Sequence, residues 1–299
     1  MKKIFVAMAA AAMVMSGCTK GSDEQNATTE FATVRFTADA SDIEVRGTRA
    51  GSQAYTGVIG INNDGAAWEV APQSDVLGFS GDLSTTSNSL TISGSAVVDG
   101  AVKIKSTGAN DANFVSFGVA EGAVSVSGTT ATLNPVGNGT ELGNDYIWAQ
   151  AAQPVNGNTS VALAFKHVMA KLRIEVYEKS YETAKLTSGV DISGIDQLGI
   201  IRNGSLDITT GVVTPSTTAL PSEIDINSEY FVLPQTAGQT KAFTVEYQGK
   251  AYTVNLGDAG LTFSAGKCRV IRLLVTGSGI TFTATLEDWV EENSDFNLQ

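Results

Sequence analysis

The chain has 299 residues, 31 of them Asp or Glu and 19 Lys or Arg, for a formal net charge of −12. Such an acidic balance argues against nucleic acid, whose phosphates need a basic patch, and against a stable electrostatic hold on an anionic membrane. Gly and Thr are abundant, Pro and Met are few, and apolar runs in the body of the chain are short. That profile fits an all-β protein rich in turns, with no body segment long enough to span a bilayer as a helix.

In chain order, "MKKIFVAMAAAAMVMSGC" comes first. Lys2 and Lys3 precede an apolar stretch that ends in the small residues Ser16 and Gly17 before Cys18. Residues 1–17 read as a secretory signal, which is not part of the fold. "MSGC" resembles the bacterial lipobox, in which the cysteine becomes the lipidated first residue, and several acyl chains together anchor durably. Residues 18–30 are polar and aperiodic, a flexible tether. Without Lys2 and Lys3, 17 basic residues face 31 acidic ones, a net charge of −14. Only Cys18 and Cys268 exist, so a lipidated Cys18 leaves Cys268 without a disulfide partner, and stability must come from the core.

The first strand is expected over 32–38, "ATVRFTA", with Ala32, Val34, Phe36 and Ala38 on one face. The polar stretch after it contains Arg46 and Arg49, two of only seven arginines, and no Lys or Arg follows until Lys103. Further strands are expected at 55–61, 89–98, 113–120, 123–133, 145–151, 160–167 and 171–178. Residues 242–256 read as a hairpin around Gln248-Gly249, and 269–286 as another turning at 277–279. In the last strand Ile280, Phe282, Ala284 and Leu286 are expected inward, with Thr281, Thr283 and Thr285 outward. About fifteen short strands exceed one sandwich. Two tandem, mostly antiparallel β-sandwiches are therefore expected. Domains of 31–156 and 157–289 meet at the polar stretch 153–160, and a tail covers 290–299.

Chemistry is sparse. The single histidine, His167, reads as a structural or turn residue, and Cys268 as a half-buried small residue and not a nucleophile. No His/Cys metal spacing exists; 62–65 and the acidic run Glu223 to Glu229 are loose calcium candidates, outweighed by ordinary turn chemistry. The glycines of 137–145 do not open a helix, so they make no phosphate loop. Trp68, Trp148 and Trp289 suit a core better than a sugar platform. No enzyme, metal or cofactor is expected.

The stretch "VALAFKHVMAKLRIEVYE" resembles a segment of the fimbrillin family, the type V pilins, through Phe165, His167, Ala170, Lys171, Leu172, Ile174 and Val176. "EYFVLPQT" (229–236), "TFSAGKCRVIRLLV" and "ITFTATLEDW", ending in Asp288 and Trp289, resemble later family strands. The resemblance implies two sandwich domains of Greek-key, transthyretin-like type, exported as an outer-membrane lipoprotein on Cys18. It implies cleavage by an arginine-specific protease, after Arg49 or else Arg46, that removes the lipid and the first strand. The vacated groove then takes a strand from a neighbouring subunit, building a fimbria that supports adhesion. On that scheme Val34 and Phe36 belong to the plug strand, and Val290, Phe296 and Leu298 are the anchors of a donor tail. The alternatives are an uncleaved fimbrial anchor or tip subunit, or a glycan-binding outer-membrane surface lipoprotein.

Overall fold

The computed structural model describes residues 31–39, 53–62, 69–70, 89–92, 95–120, 124–135, 144–178, 185–276 and 279–288. Strands β1 (Phe31–Asp39), β2 (Gln53–Asn62), β3 (Glu69–Val70), β4 (Ser89–Ile92), β5 (Ser95–Lys105) and β6 (Asp111–Val119) open the chain. Next come β7 (Val126–Ser127), β8 (Thr130–Leu133), β9 (Tyr146–Pro154), β10 (Asn158–Ala164), β11 (Lys166–His167) and β12 (Ala170–Glu178). After β13 (Val190–Ser193) and a 3₁₀ turn at Ile195–Leu198 lie β14 (Gly204–Asp207), β15 (Val212–Pro215), β16 (Glu229–Val232) and β17 (Gln235–Ala237). The last strands are β18 (Ala242–Tyr247), β19 (Lys250–Asn255), β20 (Leu261–Phe263), β21 (Lys267–Thr276) and β22 (Gly279–Asp288). The architecture is all-β and sandwich-like, as the alternating sequence pattern requires.

The first half forms one nine-stranded sheet in the order β10-β1-β5-β4-β2-β6-β9-β11, with β3 attached to β2. Its inward residues, among them Phe36, Ile59, Phe114, Ile147, Leu163 and Phe165, form one apolar cluster. In the second half, β16-β12-β21-β22 and β13-β18-β19 supply a second cluster, through Leu172, Ile174, Phe243, Val245, Ile271 and Leu273. A third cluster joins the halves. Val115, Phe117 and Leu133 from the first pack with Leu206, Ile208 and Leu233 from the second, while β8 pairs antiparallel with β14. Most of β6 and the start of β9 are thus buried on both faces, and Phe117 stacks on Tyr146 with ring centroids 5.5 Å apart.

Both expected hairpins form. The turn between β18 and β19 puts Gln248 and Gly249 at φ 52° and 71°, the double left-handed geometry that favours glycine. In the other, Thr276 pairs with Gly279, leaving two residues for the turn between β21 and β22. The polar stretch 153–160, expected as the interdomain joint, is a turn inside the nine-stranded sheet. Val155 is buried and exchanges backbone and hydroxyl hydrogen bonds with Thr107 at 3.0 and 2.9 Å. That pinning keeps β10 beside β1, and the chain passes to the other sheet at Val168–Met169. The last strand also departs from expectation at Ala284, which is exposed although its partner Ile271 is fully buried. β22 is the outer strand of its sheet, so its inner face is covered on one side only.

The outer face of β12 and β21 holds buried charge. Glu175, 2% exposed at its side chain, meets Lys185 at 2.9 Å and Arg173 and Arg272 at 3.1 Å, and accepts the Tyr177 hydroxyl at 2.8 Å. Glu229 pairs with Lys171 at 2.7 Å and Arg173 at 2.8 Å, and Glu287 pairs with Arg272. Each buried ion therefore has several partners, which offsets the cost of taking it from water.

Candidate functional site

The residues that organise the first half lie on β1. Its odd and even positions face opposite ways, so Ala32, Val34 and Phe36 enter the core at 0%, 0% and 1% exposure while Arg35 and Thr37 stay in water. The Phe36 ring meets the Phe114 ring edge-on, with centroids 5.6 Å apart at 72°. Val34 and Phe36 each contribute about 1.5–3 kcal/mol through burial of a large apolar side chain.

The backbone of β1 is held on both sides. It runs antiparallel to β5, from Phe31 opposite Lys105 to Asp39 opposite Ser95. On its other edge it runs parallel to β10, from Thr33 opposite Asn158 to Asp39 opposite Ala164. Its ladder with β5 is broken between Arg35 and Thr37, where β5 carries extra residues across from Phe36. Among the described residues, β1 is the single ladder partner of β10. Withdrawing β1 would leave two unpaired edges flanking an apolar slot the width of one strand.

The other expected site residues, Cys18, Arg46, Arg49, Val290, Phe296 and Leu298, lie outside the described residues. Cys18 precedes β1 in the chain, and the two arginines follow its end at Asp39.

The remaining chemical groups serve as ties. His167 Nδ1 lies 2.8 Å from Asp145 Oδ2, which also accepts the Tyr55 hydroxyl at 2.7 Å. The three residues link β2, the start of β9 and β11 inside the protein. Sequence spacing could not reveal this triad, since its members are scattered along the chain. Trp148 is half-buried; its indole N–H donates to the Ile208 carbonyl at 2.8 Å. Gly211, at φ 72°, lies so close to the indole that a Cβ there would sit 2.9 Å from the ring. Trp148 is therefore a fastening for the β14–β15 turn, with its indole N–H and one ring face engaged. Trp68 and Trp289 lie outside the described residues. Of the calcium candidates, Glu229 is taken up by two cations, and residues 63–65 lie outside the described residues. Cys268 is buried, and burial, aided by the nearby Glu229 charge, pushes its thiol up to about 12. We expect a thiol-specific reagent to leave Cys268 unlabelled in the folded chain at neutral pH and to label it after unfolding; labelling of both states at equal rates would contradict this environment.

These features were compared with known proteins. A sequence model described as fimbrillin-like matches residues 107–289, more than half of the chain. A solved structure of a candidate cell-adhesion protein of Bacteroides uniformis superposes with a TM-score of 0.54 at 17% identity, covering 87% of this chain and 98% of that one. Another candidate cell-adhesion protein, from Bacteroides ovatus, gives a TM-score of 0.50 at 15% identity, covering 88% and 99%. At these identities the likeness concerns the fold. No curated protein matches the chain in sequence. The matched segment runs from the loop before β6 to the end of β22, across both halves and the sheet that joins them, and the chain belongs to the fimbrillin-like family of fimbrial subunits.

Proposed function

We propose that this chain is a cell-surface fimbrial subunit that is exported as an outer-membrane lipoprotein on Cys18 and polymerises by strand exchange. Cleavage after Arg49, or else Arg46, by an arginine-specific protease severs the segment carrying the lipid and β1. The emptied slot between β5 and β10 then takes a strand from a neighbouring copy or a related pilin. The tail 290–299, with Val290, Phe296 and Leu298, is the candidate donor. In this scheme the chain has two sandwich units, the first closed by β1 and the second built from β12 onward.

One observation supports the reading: β1 is the first strand among the described residues, its Ala32, Val34 and Phe36 are buried, and it lies between β5 and β10, which do not pair with each other among those residues. A strand this central is costly to lose, and its loss creates a template for β-strand addition. A glycan-binding role draws no support from Trp148, whose indole N–H and one ring face are engaged within the fold.

The test is the N-terminal residue and size of the protein sheared from the cell surface. Heat-resistant oligomers of a chain that starts at Ala50 are expected. The double substitution Arg46→Ala and Arg49→Ala should leave the full lipoprotein, monomeric and membrane-bound. Monomers beginning at lipidated Cys18 in the wild type would overturn the polymerising role and leave an uncleaved anchor.

A further inference from the structure

Where the two halves meet, a cleft of about 400 Å³ opens between β9, β11, the β14–β15 hairpin and two turns of the second half. Its walls are apolar, supplied by Trp148, Val168, Val213, Pro234 and Ala265. One formal positive charge borders it, Lys166, which stands directly across from Trp148 in the β9–β11 ladder. Cross-strand partners share a face with Cβ atoms about 4.5–5.5 Å apart, so the ammonium and the indole address the same space. Lys166 is exposed and carries no ion pair among the described residues, while the other lysines and arginines that border the buried acids are already committed. His167 also lines the cleft, but its Nδ1 is engaged with Asp145.

We propose that this cleft is a binding site for a small amphipathic organic anion, with its apolar body against Trp148, Val213 and Pro234 and its carboxylate or sulfonate on Lys166. Three arguments converge. The volume falls in the range of small-molecule pockets, about 300–1,000 Å³. The apolar lining with one convergent cation matches a ligand that is itself apolar at one end and charged at the other. The Trp148 indole is fixed by its bond to Ile208 and by Gly211, so the wall is pre-formed and little ordering is needed on binding. The site goes beyond strand exchange and stands whether or not strands are exchanged.

The test is titration of the full-length exported protein with the fluorescent anion 8-anilinonaphthalene-1-sulfonate, with decanoate as competitor. One saturable site, displaced by decanoate, is expected. Lys166→Ala should weaken it about tenfold or more, as expected for loss of a charge-assisted contact. Ala265→Phe, which fills the cleft from an exposed turn, should abolish it; equal melting temperatures show that both variants keep the fold. Absence of saturation, or unchanged affinity in Ala265→Phe, would overturn the site. Unchanged affinity in Lys166→Ala would overturn the anionic class. Dye displaced by raising the protein concentration, together with a doubled mass in light scattering, would show a second copy in the cleft and overturn the small-molecule assignment.

Discussion

Substituting Phe36 by alanine is expected to lower the stability of the uncleaved chain by about 3–5 kcal/mol, the usual range for removing a buried phenylalanine. The ring is 1% exposed and sits edge-on to Phe114, in a cluster drawn from β1, β2, β6, β9 and β10. Local relaxation does not readily close the cavity, because β1 is held on both sides and cannot shift toward one neighbour without leaving the other. Thr37→Ala, next to it but facing water, should change stability by no more than about 0.5 kcal/mol. Urea unfolding followed by tryptophan fluorescence compares the two. Equal midpoints would mean that the slot does not depend on its aromatic anchor. If strands are exchanged as proposed, Phe36→Ala should also form oligomers without cleavage, visible by size-exclusion chromatography, since a weakened plug yields the slot more readily.

The second large effect is expected at Glu175. Glu175→Ala removes the acceptor shared by Lys185, Arg173, Arg272 and Tyr177 and should cost about 3 kcal/mol, near the lower end for breaking a buried ion pair. The lower end applies because Lys185 and Arg272 are 30% and 29% exposed and recover water, while Arg173 keeps Glu229. Acid should act on the same group. Burial alone would raise the Glu175 carboxyl, but the bonds from Lys185 and Tyr177 and the charges of Lys185 and Arg173 outweigh it, and it is held below the ordinary carboxylate range. A carboxyl depressed in the folded state contributes its stability above the ordinary value and loses it as pH falls through the folded one. Melting temperatures of wild type and Glu175→Gln should therefore differ at neutral pH and converge in acid. A gap that stays constant down to pH 2 would contradict the coupling.

Much of this architecture was legible from alternation alone. The pattern of Ala32, Val34 and Phe36, the Gln248-Gly249 turn and the β21–β22 hairpin are local, and local residues decide them. The family segment through Phe165, His167 and Lys171 was likewise readable as a string. What stayed hidden depends on distant partners. "KLRIEVYE" reads as a strand, but nothing in the string shows that Arg173 and Glu175 are buried, because Arg272 and Glu287, about a hundred residues on, complete their ion pairs. The stretch 153–160 reads as a joint because it is polar; that Thr107 ties Val155 within the sheet depends on a residue about fifty positions away. No string pattern announces that β8 and β14 share a sheet. In the slot, the inward residues of β1 were readable, but its parallel partner β10 was not.

That parallel pairing has a kinetic consequence. Thr33 meets Asn158, and Asp39 meets Ala164, across most of the first half of the chain. Contacts between residues so far apart in sequence form slowly, since a long loop must close before any of them is rewarded. While β1 remains covalently attached, an opened slot is refilled by its own strand at the high effective concentration that tethering provides. A cut in the segment after Asp39 would remove that advantage at a stroke, because recapture becomes a bimolecular search by a dilute peptide. The same backbone bonds would then be open to any strand whose alternate side chains fill the slot, and the outcome of exchange would depend on its concentration as well as its fit.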